Sequence, residues 1–248
     1  FSAVSDRDLR GAGLLMADTA GPGIVAAGRL RLLFSPNGGL TWRPLRRPTK
    51  SRIHDISFVS TQTGYLVDVS FRLWKTTNAG RTWTELVSTG RPMTQVDFAD
   101  SRNGYVVVPR VGLEARGFVL RTSDGGASWR PQLVSPAFVR DVDMAGGTAY
   151  ALVTLVGPDV GGSDIVGIYR VDGPDSFTVV ADIGAFALSN PPGFPVDIPT
   201  GVQYALETYR GGFLVTDGHH NRVYQVTRDG EVSELIAFGN IVPTGLET

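Results

Sequence analysis

One short polar motif constrains this chain more than any other feature, because it returns. Ser35-Pro36-Asn37-Gly38-Gly39-Leu40-Thr41-Trp42 is matched by Thr76-Thr77-Asn78-Ala79-Gly80-Arg81-Thr82-Trp83 and by Thr122-Ser123-Asp124-Gly125-Gly126-Ala127-Ser128-Trp129. The common form is Ser/Thr-x-Asp/Asn-x-Gly-x-Ser/Thr-Trp, and the tryptophans fall 41 and 46 residues apart. A motif recurring at that period marks a repeat architecture, and about 40–50 residues is the length of one four-stranded propeller blade.

The segments around the motif support an all-β reading. In the second repeat Ile56-Ser57-Phe58-Val59 leads through a polar turn ending at Gly64 to Tyr65-Leu66-Val67, then Phe71–Lys75 and the motif; the third repeat has the same order from Val96 to Arg121. Short apolar runs divided by Gly, Asn and Pro turns are strand signals, and no segment carries a sustained 3.6-residue apolar period, so almost no helix is expected. A fourth repeat is degenerate: Asp172 takes the acidic place, Ser176 the hydroxyl place and Phe177 the tryptophan place, with Pro174 where glycine stood. After a Pro-rich, apolar connector over 185–199, a fifth unit opens at Pro199-Thr200-Gly201-Val202-Gln203, and Val242-Pro243-Thr244-Gly245-Leu246 echoes its opening. The expectation is one propeller domain over 1–248, with about five blades and the first strand of another, as in a fragment of a larger propeller. The blades over 14–180 are of one type; residues 181–248 are of a second.

The spacing of the motif suits a tight hairpin on a blade. The Asn or Asp oxygen can accept backbone N–H bonds across the turn, glycine supplies a positive φ, and the Trp ring is expected against the neighbouring blade. Asn37, Trp42, Asn78, Trp83, Asp124, Trp129, Asp172 and Phe177 are therefore read as structural. In this form the motif resembles the Asp-box, or BNR repeat. Asp55-Ile56-Ser57-Phe58-Val59 with Thr63–Val67 and Thr82-Trp83 looks most like the photosystem II assembly-factor group, and the sialidase-like propellers share the box. Leu214–Gly218, Asn221-Arg222-Val223 and Asp229–Val232 resemble instead an NHL or TolB-like blade. The resemblance implies the fold, and either a binding scaffold for a protein or glycan or an Asp-box glycosidase.

Composition narrows the chemistry. The net charge of -1 gives no overall attraction to nucleic acid or anionic membrane. Without cysteine there are no disulfides, thiolate metal sites or thiol catalysis. No apolar run approaches the roughly 18 residues of a membrane span. A chain opening on Phe1 with no signal peptide reads as a processed form, and an extracellular or periplasmic monomer without cofactor or metal is expected.

Aligning the repeats places Arg52, His54 and Asp55 in one position, Arg91, Gln95 and Asp97 in the next, Arg140 and Asp141 in the fourth and Gln203 in the fifth. Arginine forks suit a carboxylate, so Arg52, His54, Arg91, Gln95, Arg140 and Gln203 are candidate ligand-binding residues. Asp55, Asp97 and Asp141 are the candidate acids of a glycosidase, which needs two carboxyls at set separations. The same side chains would serve equally by pairing with one another and with water in the channel. His219-His220, adjacent on a strand, would point to opposite faces and share no metal; a surface turn is the expected setting.

Overall fold

The computed structural model describes residues 14–20, 23–28, 31–86, 91–109, 117–135, 138–155, 165–174 and 176–239. They form five four-stranded antiparallel sheets, and the fold is a β-propeller. The first sheet holds β1 (Leu14–Ala20), β2 (Gly23–Gly28), β3 (Leu32–Ser35) and β4 (Arg43–Pro44) in chain order. The second holds β5 (Ile53–Phe58), β6 (Gly64–Asp68), β7 (Leu73–Thr76) and β8 (Thr84–Glu85), and the third β9 (Gln95–Phe98) to β12 (Arg130–Ser135). The fourth runs from β13 (Phe138–Ala145) and β14 (Thr148–Thr154) to β15 (Gly167–Gly173) and β16 (Ser176–Asp182). The fifth contains β17 (Gln203–Tyr209), β18 (Gly212–Asp217), β19 (Arg222–Val226) and β20 (Val232–Ala237). The echo at 242–246 lies outside the described residues.

The chain packs as two compact units, one of residues 1–106 and 121–130, the other of 107–120 and 131–246. In the first, Val25, Leu32, Phe34, Ile53, Phe58 and Leu66 form a core against which Trp74 and Trp83 lie. In the second, Tyr150, Leu152, Ile168, Phe213, Val215 and Tyr224 do the same. The second strand of each sheet is almost entirely buried, which is why it reads as an uninterrupted apolar run rather than an alternating one. In the first unit Tyr65 stacks flat on Phe98 with ring centroids 3.4 Å apart, and its hydroxyl donates to the Ser101 carbonyl at 2.9 Å.

The three intact motifs build one hydrogen-bond pattern. The hydroxyls of Ser35, Thr76 and Thr122 accept the N–H of Gly39, Gly80 and Gly126 at 2.8, 3.0 and 2.9 Å. Oδ1 of Asn37, Asn78 and Asp124 accepts the N–H of Thr41, Thr82 and Ser128, each at 2.9 Å. Asp124 alone of the three carries a charge; the hydroxyl and N–H of Ser128 and the hydroxyl of Thr122 hold its carboxyl far below the usual range. Trp42 is half-buried. Trp83 meets Phe58 edge-on at 6.1 Å and donates its indole N–H to the Arg46 carbonyl at 2.9 Å; Trp129 meets Phe98 in the same way at 6.2 Å.

The fourth turn differs. Asp172 takes the Arg170 Nε–H and the Thr178 hydroxyl, each at 2.6 Å, so Thr178, rather than Ser176, supplies the hydroxyl that meets it. Phe177 stays 43% exposed, with Tyr169 of its own sheet as its aromatic neighbour. With Pro174 in place of the glycine, the turn cannot place the side chain as the other three do.

The connector contains the single helix among the described residues, α1 (Ile183–Ser189), capped by the Asp182 carboxylate accepting the Ala185 N–H at 2.8 Å. Its seven residues are too few to show a helical period in the sequence, which is why the segment reads there as irregular.

Gly201 shows how tightly the fifth sheet is built. It has φ +74°, and a Cβ there would lie 1.9 Å from Asp217 Oδ2 and 2.8 Å from Gln203 Nε2. Gly38 also has a positive φ, but a Cβ there would meet nothing within 4 Å. Gly201→Ala should cost about 3 kcal/mol, combining left-handed backbone strain with overpacking, whereas Gly38→Ala should cost about 1 kcal/mol. Denaturant unfolding of the two variants measures the difference.

Candidate functional site

The site residues expected from sequence sit at the start of the first strand of each sheet, and a local irregularity separates their roles. In four sheets the pairing of first and second strands slips by one residue there: between Leu14 and Met16, Ile53 and Asp55, Val139 and Asp141, and Gln203 and Ala205. The unpaired residues are Leu15, His54, Arg140 and Tyr204. A bulge of this kind redirects a side chain out of the alternation. His54 and Arg140 are thus set apart from the aspartates that follow them.

The aspartates turn to the backbone of the next sheet's first strand. In the first unit, Asp18 accepts the Phe58 N–H, Asp55 Oδ2 the Val96 N–H at 2.8 Å, and Ser57 Oγ the Phe98 N–H at 3.0 Å. The Ser57 hydroxyl in turn donates to Asp97 Oδ1 at 3.3 Å. In the second unit, Asp141 Oδ2 accepts the Leu206 N–H at 2.8 Å, and its Oδ1 takes the N–H of Val142 at 2.9 Å. Asp143 accepts the Thr208 N–H in the same register. Burial of Asp143 raises its pKa, against the opposing effect of the N–H bonds from Met144 and Thr208. Within each unit, the first sheet is thus tied to the second, the second to the third and the fourth to the fifth by side-chain oxygens that accept amide N–H groups of the neighbouring first strand.

The displayed residues have other surroundings. In the first unit Arg52 is exposed and His54 half-buried, and the imidazole lies nearly parallel to the Phe71 ring at 6.4 Å between centroids. Burial and the adjacent Arg52 guanidinium lower the His54 pKa, with Asp68 opposing, so the ring is neutral at pH 7. Phe71 is 39% exposed and has φ 61°, an uncommon conformation for an aromatic residue. Asp68, fully buried, imposes it. Its carboxylate accepts the N–H of Ser70 (2.8 Å) and of Arg72 (3.3 Å), the Arg72 Nε–H (3.1 Å) and the Trp74 indole N–H (3.2 Å), while its carbonyl takes the Phe71 N–H at 2.8 Å. Arg91 is exposed and Gln95 half-buried, on and just after the segment leading into β9.

In the second unit Arg140 is exposed, with its guanidinium 4.8 Å from the centre of the Tyr204 ring. Gln203 has a different setting from the one its sequence position suggests. It is fully buried: its amide donates to the Thr200 carbonyl and to Asp217 Oδ2, and its Oε1 accepts the Thr154 hydroxyl at 2.7 Å. Asp217 is equally enclosed and takes the N–H of Val202, His219 and His220 and the Tyr224 hydroxyl. Burial and the Asp217 charge push the Tyr224 pKa up. His219 and His220 are not solvated turn residues. His219 Nε2 accepts the Ile198 N–H at 3.1 Å, and His220, 1% exposed, places Nε2 3.2 Å from the Ile198 carbonyl oxygen. Both rings hold the connector. No group of three metal-ligating side chains occurs among the described residues.

Sequence reading missed Phe71 and Tyr204. The usable signal for Phe71 was the preceding Asp68-Val69-Ser70, an Asx-type turn, which leaves an apolar residue at its end. Tyr204 falls on a bulge, which a strictly alternating pattern conceals.

No family model matches the sequence, and no curated protein matches it. Its fold, however, is shared by solved structures. YCF48 bound to a D1 peptide superposes with a TM-score of 0.51 at 14% identity, covering 91% of this chain and 82% of that one. A streptogramin B lyase gives 0.65 at 13% identity, covering 95% and 73%. The GH74 xyloglucanase from Xanthomonas campestris gives 0.58 at 14% identity, and the chain spans only 38% of that enzyme. At these identities the likeness is one of fold.

The Asp68 network carries a pH prediction. Burial alone would raise its pKa, but the bonds from the Arg72 N–H, Trp74, Thr49 and the Arg72 side chain outweigh burial and lower it. A carboxylate depressed in the folded state stabilises the fold above its unfolded pKa, and that stability is lost as pH falls through the folded value. Asp68→Asn should therefore lower the heat-unfolding midpoint at neutral pH, and the gap to wild type should close only in acid below the ordinary Asp range.

Proposed function

We propose that this chain is a non-enzymatic binding scaffold of the Asp-box kind, acting outside the cytoplasm and taking a protein segment at the bulged strand starts of the second unit, where Arg140 and Tyr204 lie. The observation that carries this reading is the occupation of the candidate acids. A general acid or nucleophile must present a carboxyl oxygen to substrate. Asp55 and Asp141 instead cap backbone N–H groups of the adjoining strand, and Asp97 accepts from Ser57. Their removal should loosen the packing of successive sheets before it touches any chemistry. In the second unit Arg140 is left facing outward, on Tyr204. Arginine and aromatic side chains of this sort anchor protein interfaces. The similarity to YCF48 bound to a D1 peptide supports a peptide-binding role on this fold.

The competing reading is a polysaccharide hydrolase, favoured by the similarity to the GH74 xyloglucanase. A chromogenic glycoside screen and a glycan and peptide array on the purified chain separate the two. The expected result is no hydrolysis above buffer, with retained peptides weakened about tenfold by Arg140→Ala at unchanged heat stability. Glycoside hydrolysis that disappears in a folded Asp97→Asn variant would overturn the proposal.

A further inference from the structure

The last strand of the first sheet and its link to the second, Arg43-Pro44-Leu45-Arg46-Arg47-Pro48-Thr49-Lys50-Ser51-Arg52, carry five basic residues in ten and no acidic one, in a chain whose net charge is -1. The link is held in place. Leu45 is buried in the first core and its N–H donates to the Leu32 carbonyl at 2.8 Å. Thr49, 7% exposed, accepts from Arg72 at 2.6 Å and from the Ser51 N–H at 3.0 Å. Arg47 donates to the Ser51 carbonyl at 2.5 Å. These contacts leave Arg46, Lys50 and Arg52 exposed, and none of the three forms an ion pair among the described residues.

The same contacts bring the link against the turn bearing Phe71. The Ser51 and Ser70 hydroxyls are 2.9 Å apart, and the Val69 N–H donates to the Arg52 carbonyl at 2.8 Å. An exposed aromatic ring, held outward by a strained turn, therefore stands beside unpaired cations. Asp68, three residues before Phe71, is fully buried and paired with Arg72.

We infer that this patch docks the protein onto an anionic lipid surface, with Lys50, Arg52 and Arg46 against the headgroups and Phe71 entering the interface. Charge complementarity requires an anionic partner. From Leu45 to Arg52, past β4, the link contains no strand, so this stretch offers no main-chain ladder to an extended peptide. Exposed cations around one aromatic ring suit a headgroup plane, to which Lys and Arg near an anionic lipid surface are attracted.

Co-sedimentation of the full chain with vesicles tests this. The chain should bind vesicles containing phosphatidylserine, bind pure phosphatidylcholine poorly, and be released by about 0.5 M salt, where screening is short-ranged. Each cation removed should lower partitioning about fivefold, so Lys50→Gln with Arg52→Gln should lower it about 25-fold. Phe71→Asn, which tolerates the positive φ, should weaken binding while leaving heat stability unchanged or raised. No binding to phosphatidylserine vesicles, or equal binding by the double-glutamine variant, overturns the inference. Capture of polyglutamate by a chain that ignores the vesicles overturns it in favour of an acidic protein segment.

Discussion

Within each unit of this protein, neighbouring sheets are joined by side-chain oxygens that accept main-chain N–H groups across the gap between first strands. Asp18, Asp55 and Ser57 do so in one unit, and Asp141 and Asp143 in the other. Each first strand has one edge paired within its sheet and one edge bare. A bare amide inside a fold costs the full loss of its water, and hydrogen bonds to charged acceptors are worth about 1.5–3 kcal/mol each. Two acceptors spaced two residues apart on one strand, as at Asp55 and Ser57, face the same side and meet two amides spaced the same way, at Val96 and Phe98. The aromatic stacking of Tyr65 on Phe98 follows from that register rather than setting it.

The bulge before each latch is what lets one strand end do two jobs. Without it, His54 and Asp55 would take opposite faces in simple alternation. With the extra residue, Asp55 keeps its place opposite Val67 while His54 leaves the ladder and meets Phe71. Arg140 and Tyr204 stand at corresponding slips and meet each other. Structural acceptors and displayed residues are adjacent in sequence but differ in role.

Much of the fold was legible in the chain. The repeated hydroxyl, Asn or Asp, glycine and tryptophan at constant offsets specify a local turn, and local turns obey their own hydrogen-bond chemistry wherever they sit. The three networks at Ser35, Thr76 and Thr122 repeat for that reason. The site was less legible. Asp55, Asp97 and Asp141 had the residue type of acids, but Asp55 and Asp141 are occupied by amides 41 and 65 residues away and Asp97 by the Ser57 hydroxyl 40 residues away. Gln203 had the residue type of a ligand contact, yet Asp217 and Thr154 enclose it. His219 and His220 read as a solvated pair, and only the returning connector shows them holding Ile198.

By itself, then, the sequence determined the sheet-building period, the turns that close the outer hairpins and the apolar second strands, because each follows from residues within one repeat. Tertiary structure alone decided which polar side chains remain outward, since that depends on which backbone donors a neighbouring strand leaves bare. It also decided that the basic link lies against Phe71, because Ser51 meets Ser70 only once β5 has paired with β6. Charge and aromaticity were present in the chain; their juxtaposition is a product of the fold.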